Sequence, residues 1–150
     1  MLDVTVAEVP AVTYAVIRDR APLERMSEVI PALIERTGAW VKDVRPTGPP
    51  VCISMMDADG MLDVKVGWPV ETDRSPPEPI ELVSYSTTRA VVHRHVGPYE
   101  ELNATYRELS EAMDAAGLEK SDEPREIYES DPQEVTDPKD YVTQIVWPVK

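Results

Sequence analysis

Hydrophobic and polar positions along the first half of the chain follow two different spacings. Apolar and β-branched residues alternate or cluster in residues 2–17, with a break at Pro10, and again in 51–56 and 61–70. This pattern predicts three strands. Residues 23–40 carry apolar side chains at helical spacing instead, so we predict a helix between the first two strands.

Local signals refine the helix and the turn that follows it. Pro31 inside the helical segment predicts a kink or a late start, and Gly38 suits a helix C-cap. Asp59-Gly60 between two strand-like runs predicts a β-hairpin.

The second half repeats the same order of elements. A strand is predicted over 80–96 with a break near Ser86-Thr87, and a helix begins after Gly97-Pro98. Short and long strands follow at 126–130 and 141–149. Each half therefore reads strand–helix–strand–strand, which predicts an antiparallel α+β fold.

An internal repeat supports this organisation. The tripeptide Trp-Pro-Val ends a predicted strand at 68–70 and again at 147–149, and the shift that superposes the two copies also places Val66 on Ile145. We predict one domain over 1–150, built from repeat one (about 1–70), a linker (71–79) and repeat two (about 80–150). Tandem units leave a crevice where they meet, and such crevices are common ligand sites.

Composition limits the classes of function. Apolar residues make up 42% of the 150, which suits one folded domain with a real core. Lysine and arginine number 15 against 28 acids, giving a net charge of −13. Such a charge repels phosphate backbones, so we expect no nucleic-acid partner, and it attracts lipophilic cations and basic partners. The simpler interpretation is that the acidic surface only keeps the protein soluble.

The cysteine content and the lack of targeting patterns in the sequence indicate the compartment. Cys52 is the only cysteine, so no internal disulfide can form. The segment 1–20 carries acids and shows no signal-peptide pattern, and no apolar run approaches the length of a membrane span. We therefore expect a cytoplasmic protein with no membrane association.

Several segments together resemble the GyrI-like small-molecule-binding domain, which also serves as the effector-binding domain of drug-responsive transcription regulators. The resemblance covers nearly the whole chain and rests on five segments: Val9-Pro-Ala to Arg18, 63–70, His95-Val-Gly-Pro-Tyr99, Tyr128 with Asp131-Pro132, and 143–149. It implies a pseudo-twofold fold with helices on the outside and a ligand groove at the junction. It also implies binding of bulky, often cationic, aromatic compounds. The chain has no room for a helix-turn-helix, so it resembles the stand-alone form.

Two positions depart from the family pattern. The last strand of each repeat closes with the segment Ile/Val-X-X-Pro, and the family often has glutamate directly before that segment. This chain has Lys65 and Gln144 at these two positions. Gln144 keeps the hydrogen-bonding geometry without a charge or a titratable proton, and Lys65 has the opposite sign. The substitutions argue against tight charge-based capture of a cation at these positions and against the hydrolase activity of some relatives, and no catalytic residue is assigned.

Aromatic and flexible side chains are the predicted ligand contacts. A flat or charged ligand would stack on their rings, with cation–π attraction where it is cationic. Core packing is the alternative for each tryptophan, and for Met55 core filling is the alternative to a flexible pocket wall. The predicted contacts are Trp40, Met55, Trp68, Tyr99, Tyr128, Tyr141, Gln144 and Trp147.

The remaining polar residues predict no further chemistry. His93 and His95 lie on one face of a strand without a third ligand at a recognisable spacing, so we expect no metal and a solvated or sheet-edge role. Asp122, Glu123 and Glu126 form a charge run that predicts a solvated face. No cofactor-binding motif is present.

Three hypotheses of function remain open. The first is binding, and possibly sequestration, of bulky aromatic or lipophilic cationic compounds. The second is a hydrolase that opens strained electrophiles, with Tyr128 as acid or orienting group and Gln144 or a nearby carboxylate placing the water. The third is a protein partner role, in which the acidic surface mimics DNA and blocks an enzyme such as gyrase.

Overall fold

Two compact units make up the protein, as seen in a computed structural model that describes residues 2–130 and 134–150. The N-unit comprises Pro10–Thr87, and the C-unit comprises Thr88–Lys150 together with the stretch that ends at Val9. The regular elements in chain order are β1 (Val6–Val9), β2 (Val12–Pro22), α1 (Met26–Val44), β3 (Val51–Met56), β4 (Met61–Pro69), β5 (Glu81–Tyr85), β6 (Thr88–Val96), α2 (Leu102–Ala115), β7 (Arg125–Tyr128) and β8 (Val142–Val149).

Both units carry the same strand order. In the N-unit the antiparallel order is β3-β4-β2-β5, and in the C-unit it is β7-β8-β6-β1. Each unit also has one helix, α1 between β2 and β3 in the N-unit and α2 between β6 and β7 in the C-unit. The α+β class and the duplicated strand–helix–strand–strand order are therefore confirmed, whereas the pseudo-twofold relation, the outer position of the helices and the groove at the junction stay predictions.

The short edge strands are exchanged along the chain. β1 is the first strand of repeat one but pairs with β6 of the C-unit, with Val6 opposite Val91. β5 is the first strand of repeat two but pairs with β2 of the N-unit, with Tyr85 opposite Val12. The breaks predicted at Pro10 and at Ser86-Thr87 are the points where the chain changes from one unit to the other.

Strand registers show where the two repeats correspond. Arg18 lies opposite Lys65 in the N-unit, and Arg94 lies opposite Gln144 in the C-unit. Lys65 and Gln144, which are equivalent residues of the two last strands, are thus as far apart in sequence as the two copies of Trp-Pro-Val. The first strands and the starts of the two helices correspond at a slightly smaller spacing, because the connection from β7 to β8 is longer than the hairpin from β3 to β4.

Helix α1 continues beyond Gly38 to Val44, so the predicted C-cap is wrong. Gly38 lies inside the helix, where a Cβ atom would make an ordinary contact of 3.4 Å with Nε1 of Trp68, so the indole packs directly beside this residue. Pro31 also lies inside the helix, which begins later than predicted, after a 3₁₀ turn at Leu23–Arg25.

The hairpin between β3 and β4 is confirmed. The backbone N–H of Asp57 donates to the carbonyl of Met61 at 2.8 Å, and Gly60 has a φ of 78°, a conformation that glycine adopts at little cost.

In the C-unit, α2 packs on β6 and β8. The buried residues of this core are Val91, Leu102, Leu109, Met113, Ile145 and Val149. The family-like residues Asp131 and Pro132 lie outside the described residues. Within the described ranges, no helix is long and apolar enough to cross a membrane.

Candidate functional site

A carboxylate held by two tyrosines lies in the C-unit. Oε1 of Glu126 accepts a hydrogen bond from the Tyr128 hydroxyl at 2.8 Å, and Oε2 accepts one from the Tyr106 hydroxyl at 2.9 Å. Glu126 is half-buried. The predicted solvated face is therefore wrong for Glu126, whose carboxylate is satisfied by protein donors.

Further tyrosine rings extend from this carboxylate. The ring of Tyr99 meets that of Tyr128 edge-on at a centroid distance of 5.7 Å and stacks on that of Tyr141 at 5.1 Å. We call Glu126 with Tyr99, Tyr106, Tyr128 and Tyr141 the tyrosine cluster. Tyr99 is 38% exposed, whereas Tyr128 is only 8% exposed, so the cluster reaches from the core to the surface.

Strand alternation explains why these side chains meet. Glu126 and Tyr128 are two residues apart on β7 and so share one face, opposite Ile145 and Thr143 of β8. Ile145 belongs to the core under α2, and Tyr106 of α2 packs against that core. The strand and the helix thus bring one carboxylate and two phenols to the same point.

Burial dominates the electrostatics of Glu126. Loss of solvent raises the pKa of its carboxyl group, while the hydrogen bonds from Tyr128 and Tyr106 and the nearby His95 oppose that rise. The two phenols favour the ionised form because they donate to it.

His95 fixes the turn that carries Tyr99. It is 7% exposed on β6, which has neighbours on both sides, so the predicted solvated or sheet-edge role is wrong. Its Nε2 lies 3.2 Å from the carbonyl oxygen of Pro98, and its Nδ1 lies 3.0 Å from the hydroxyl of Thr105. Because a carbonyl only accepts, the neutral ring carries its proton on Nε2 and accepts from Thr105 on Nδ1.

One buried hydroxyl beside the cluster has no hydrogen-bond partner among the described residues. Thr143 is fully buried, opposite both Tyr128 and His95, and its Oγ1 makes no hydrogen bond to any described residue. A buried hydroxyl in this state costs about 1–3 kcal/mol, which a polar ligand atom would recover.

The three tryptophans lie in different surroundings, and Trp147 contacts a member of the tyrosine cluster. The ring of Trp147 meets that of Tyr106 edge-on at 5.7 Å, and the ammonium of Lys120 lies 5.2 Å from its centroid. In the N-unit, Nε1 of Trp68 donates to the carbonyl of Ile34 at 3.1 Å. Trp40 is half-buried on α1. The contacts of Trp68 and Trp147 are packing contacts within their own units.

Met55 and Met56 are each 52% exposed at the end of β3, so core filling is wrong for both. A ligand role for Met55 stays a prediction. In the N-unit, the amine of Lys65 lies 3.5 Å from the hydroxyl of Tyr85, whose ring meets that of Tyr14 edge-on.

A separate open cleft of about 500 Å³ lies in the N-unit, beside the ends of β2 and β5. Hydroxyl-bearing side chains dominate its wall, and Glu71 is the only charged residue among the described ones that line it. Among residues 2–130 and 134–150, no group of three or more potential ligands could hold a metal ion.

The family model of the GyrI-like small molecule binding domain matches residues 2–150. The chain belongs to this family. It is therefore a small-molecule-binding domain of the GyrI-like kind. No curated protein gives a significant match.

Solved structures share the fold at low sequence identity. SAV2435 bound to tetraphenylphosphonium is 14% identical, with a TM-score of 0.68 over 99% of this chain and 94% of that one. The EcmrR C-terminal domain is 21% identical, with a TM-score of 0.80 over 99% and 97%. A hydrolase from Listeria innocua is 20% identical, with a TM-score of 0.64 over 98% and 91%.

Within this GyrI-like chain, the predicted contacts divide into groups. Tyr99, Tyr128 and Tyr141 lie together. Gln144 lies opposite Ile127, on the other face of the sheet from Glu126, so it does not join them.

Sequence reasoning missed Glu126, Tyr106 and His95. A usable signal was present for the first, because Glu126 stands two residues from Tyr128 in a predicted strand and so shares its face. Tyr106 lies in the helix predicted after Gly97-Pro98, but nothing in the sequence shows which strand residue its hydroxyl meets.

Proposed function

We propose that this GyrI-like domain binds a bulky lipophilic monocation at the tyrosine cluster, with Glu126 as the counter-charge. The observation that carries the proposal is the half-buried carboxylate held by Tyr106 and Tyr128 beside the rings of Tyr99 and Tyr141.

The chemistry of the cluster supports a cation. A carboxylate removed from solvent attracts a positive charge more strongly than one in water, because the local dielectric is lower. Tyrosine faces add cation–π attraction of roughly 0.5–2 kcal/mol each. The partly exposed ring of Tyr99 offers the first contact to an incoming ligand.

Two further observations support the same ligand class. SAV2435, which shares the fold, has been solved with tetraphenylphosphonium. The net charge of −13 raises the local concentration of cations around the protein. A domain that binds such compounds without transforming them would sequester them.

Titration with tetraphenylphosphonium, followed by calorimetry, tests the proposal. Glu126→Gln keeps the size and can still bond to both tyrosines, accepting from one hydroxyl through its oxygen and donating to the other through its NH₂, but it removes the charge, so we expect affinity to fall by roughly tenfold or more. Glu129→Gln is the matched control, because it removes a carboxylate that is 39% exposed and close to Arg94, and we expect less than about a twofold change.

Wild-type affinity in Glu126→Gln, or no binding by the wild-type protein, would overturn the proposal. Acidification is an independent check. Because binding needs the ionised carboxylate, affinity for the permanently charged phosphonium should fall as pH drops through the raised pKa of Glu126.

A further inference from the structure

The hydrogen bonds that Glu126 accepts also affect which kind of cation its carboxylate can bind. Each carboxylate oxygen already accepts one hydrogen bond from a phenol, Oε1 from Tyr128 and Oε2 from Tyr106. Both donors are held in place: Tyr128 is buried on β7, and the ring of Tyr106 packs edge-on against Trp147.

We infer that the two tyrosine hydroxyls make the site selective for cations without N–H groups, such as quaternary ammonium and phosphonium ions, over protonated amines of the same shape. This inference rests on the proposed function and names the ligand class more narrowly.

The reason is the cost of an N–H that leaves water. A protonated amine loses hydrogen bonds to water on entering the cluster and must find an acceptor inside it. The acceptor positions of Glu126 are half used, and the ring faces of Tyr99 and Tyr141 carry no lone pairs, so beyond the carboxylate only phenol oxygens of the cluster could accept the N–H. An onium ion has no N–H to satisfy, so it keeps the full Coulomb and cation–π attraction without this loss.

One other acceptor lies close by. The buried Oγ1 of Thr143 lies on the same face as Glu126 and Tyr128 and makes no hydrogen bond to a described residue. If it accepted the ligand's N–H, the selectivity would vanish, so the experiment includes this residue.

A matched pair of probes tests the inference. N,N-dimethyl-1-naphthylmethylamine, protonated at neutral pH, and its N-methyl quaternary salt carry the same charge and differ by one methyl group. Burial of that methyl group alone is worth roughly fourfold in affinity. We expect the wild-type protein to prefer the quaternary salt by about twentyfold or more, since the N–H penalty adds to the methyl term.

Variants of the two tyrosines separate the N–H penalty from the contribution of the extra methyl group. Tyr106→Phe and Tyr128→Phe each release one carboxylate oxygen to accept the amine N–H, so the protonated amine should gain affinity relative to the quaternary salt and the preference should fall toward about fourfold. Tyr85→Phe, which removes a phenol hydroxyl in the N-unit, should leave the preference as in the wild type.

The outcomes are distinct. A wild-type preference of about fourfold or less overturns the inference, as does a preference that is unchanged in both phenylalanine variants. An increase in the preference in Thr143→Val shows that Thr143 accepts the N–H, which also overturns it. If neither probe nor tetraphenylphosphonium binds, the proposed function and this inference fail together.

Discussion

At the scale of single residues, Glu126 links ligand binding to stability. Burial raises the pKa of its carboxyl group above the usual 4.5, so the folded state holds the proton more tightly than the unfolded state does. The contribution of this residue to the free energy of unfolding is therefore fully present at low pH and is lost as pH rises through the raised pKa.

Urea denaturation at about pH 5 to pH 8 measures this effect. The free energy of unfolding of the wild-type protein should fall with rising pH relative to that of Glu126→Gln, which has no proton to lose. Parallel pH profiles for the two proteins would show that Glu126 titrates normally.

Gly67 is a second residue with a defined role. A Cβ atom there would lie 1.7 Å from the carbonyl oxygen of Ala15 and 2.9 Å from Cα of Val16, so the backbone itself would have to move. We expect Gly67→Ala to destabilise the protein by about 2 kcal/mol or more. Gly48→Ala, whose Cβ would make an ordinary 3.5 Å contact with Pro69, should change the urea midpoint little.

Residue contacts were predictable only within a single strand. The spacing of Glu126 and Tyr128 places them on one face of β7, where they are hydrogen-bonded. The contact of Glu126 with Tyr106 could not be predicted, because it depends on how α2 lies over β7, and neither helix rotation nor strand register can be obtained from spacing alone. The ligand role of Tyr99 and Tyr128 stays a prediction.

At the scale of elements, helix α1 contains a proline, which disfavours helical structure at that position. Pro31 is exposed in the helix interior, where it lacks the N–H that would bond to the carbonyl of Ser27. Pro31→Ala should stabilise the protein by about 1–2 kcal/mol, because the restored hydrogen bond outweighs the added freedom of the unfolded chain. Glu35→Ala on the same exposed helix is the control. An unchanged or lower melting temperature in Pro31→Ala would contradict this account.

Element existence and order were predictable from the hydrophobic pattern, whereas the end of α1 was not. Gly38 favoured a C-cap by its residue type, but α1 continues through it to Val44 and the residue lies beside Trp68 of β4. Residue type is a weak guide to where a helix ends, because tertiary context often outweighs it.

At the scale of the whole molecule, the charge of −13 should govern association. The Debye length shrinks from about 30 Å at 0.01 M salt to about 8 Å at 0.15 M, so long-range attraction of a cation is screened. Stopped-flow measurement should show the association rate constant of tetraphenylphosphonium falling several-fold over this range, with dissociation nearly unchanged.

Charge variants provide the control for that experiment. Glu35→Lys with Asp43→Lys changes two exposed residues of α1 and makes the net charge less negative, because each acid is replaced by a base, so association at low salt should slow. Equal rates at both salt concentrations would remove the role assigned to the acidic surface.

The exchange of β1 and β5 has a consequence for dissecting the gene. A fragment that ended in the 71–79 linker would retain β1 without its partner β6 and would lack β5 at the edge of its own sheet. The complementary fragment would have the reciprocal defect. Neither half alone therefore contains all four strands of its own sheet, so we expect separately expressed halves to fold stably only when both are present.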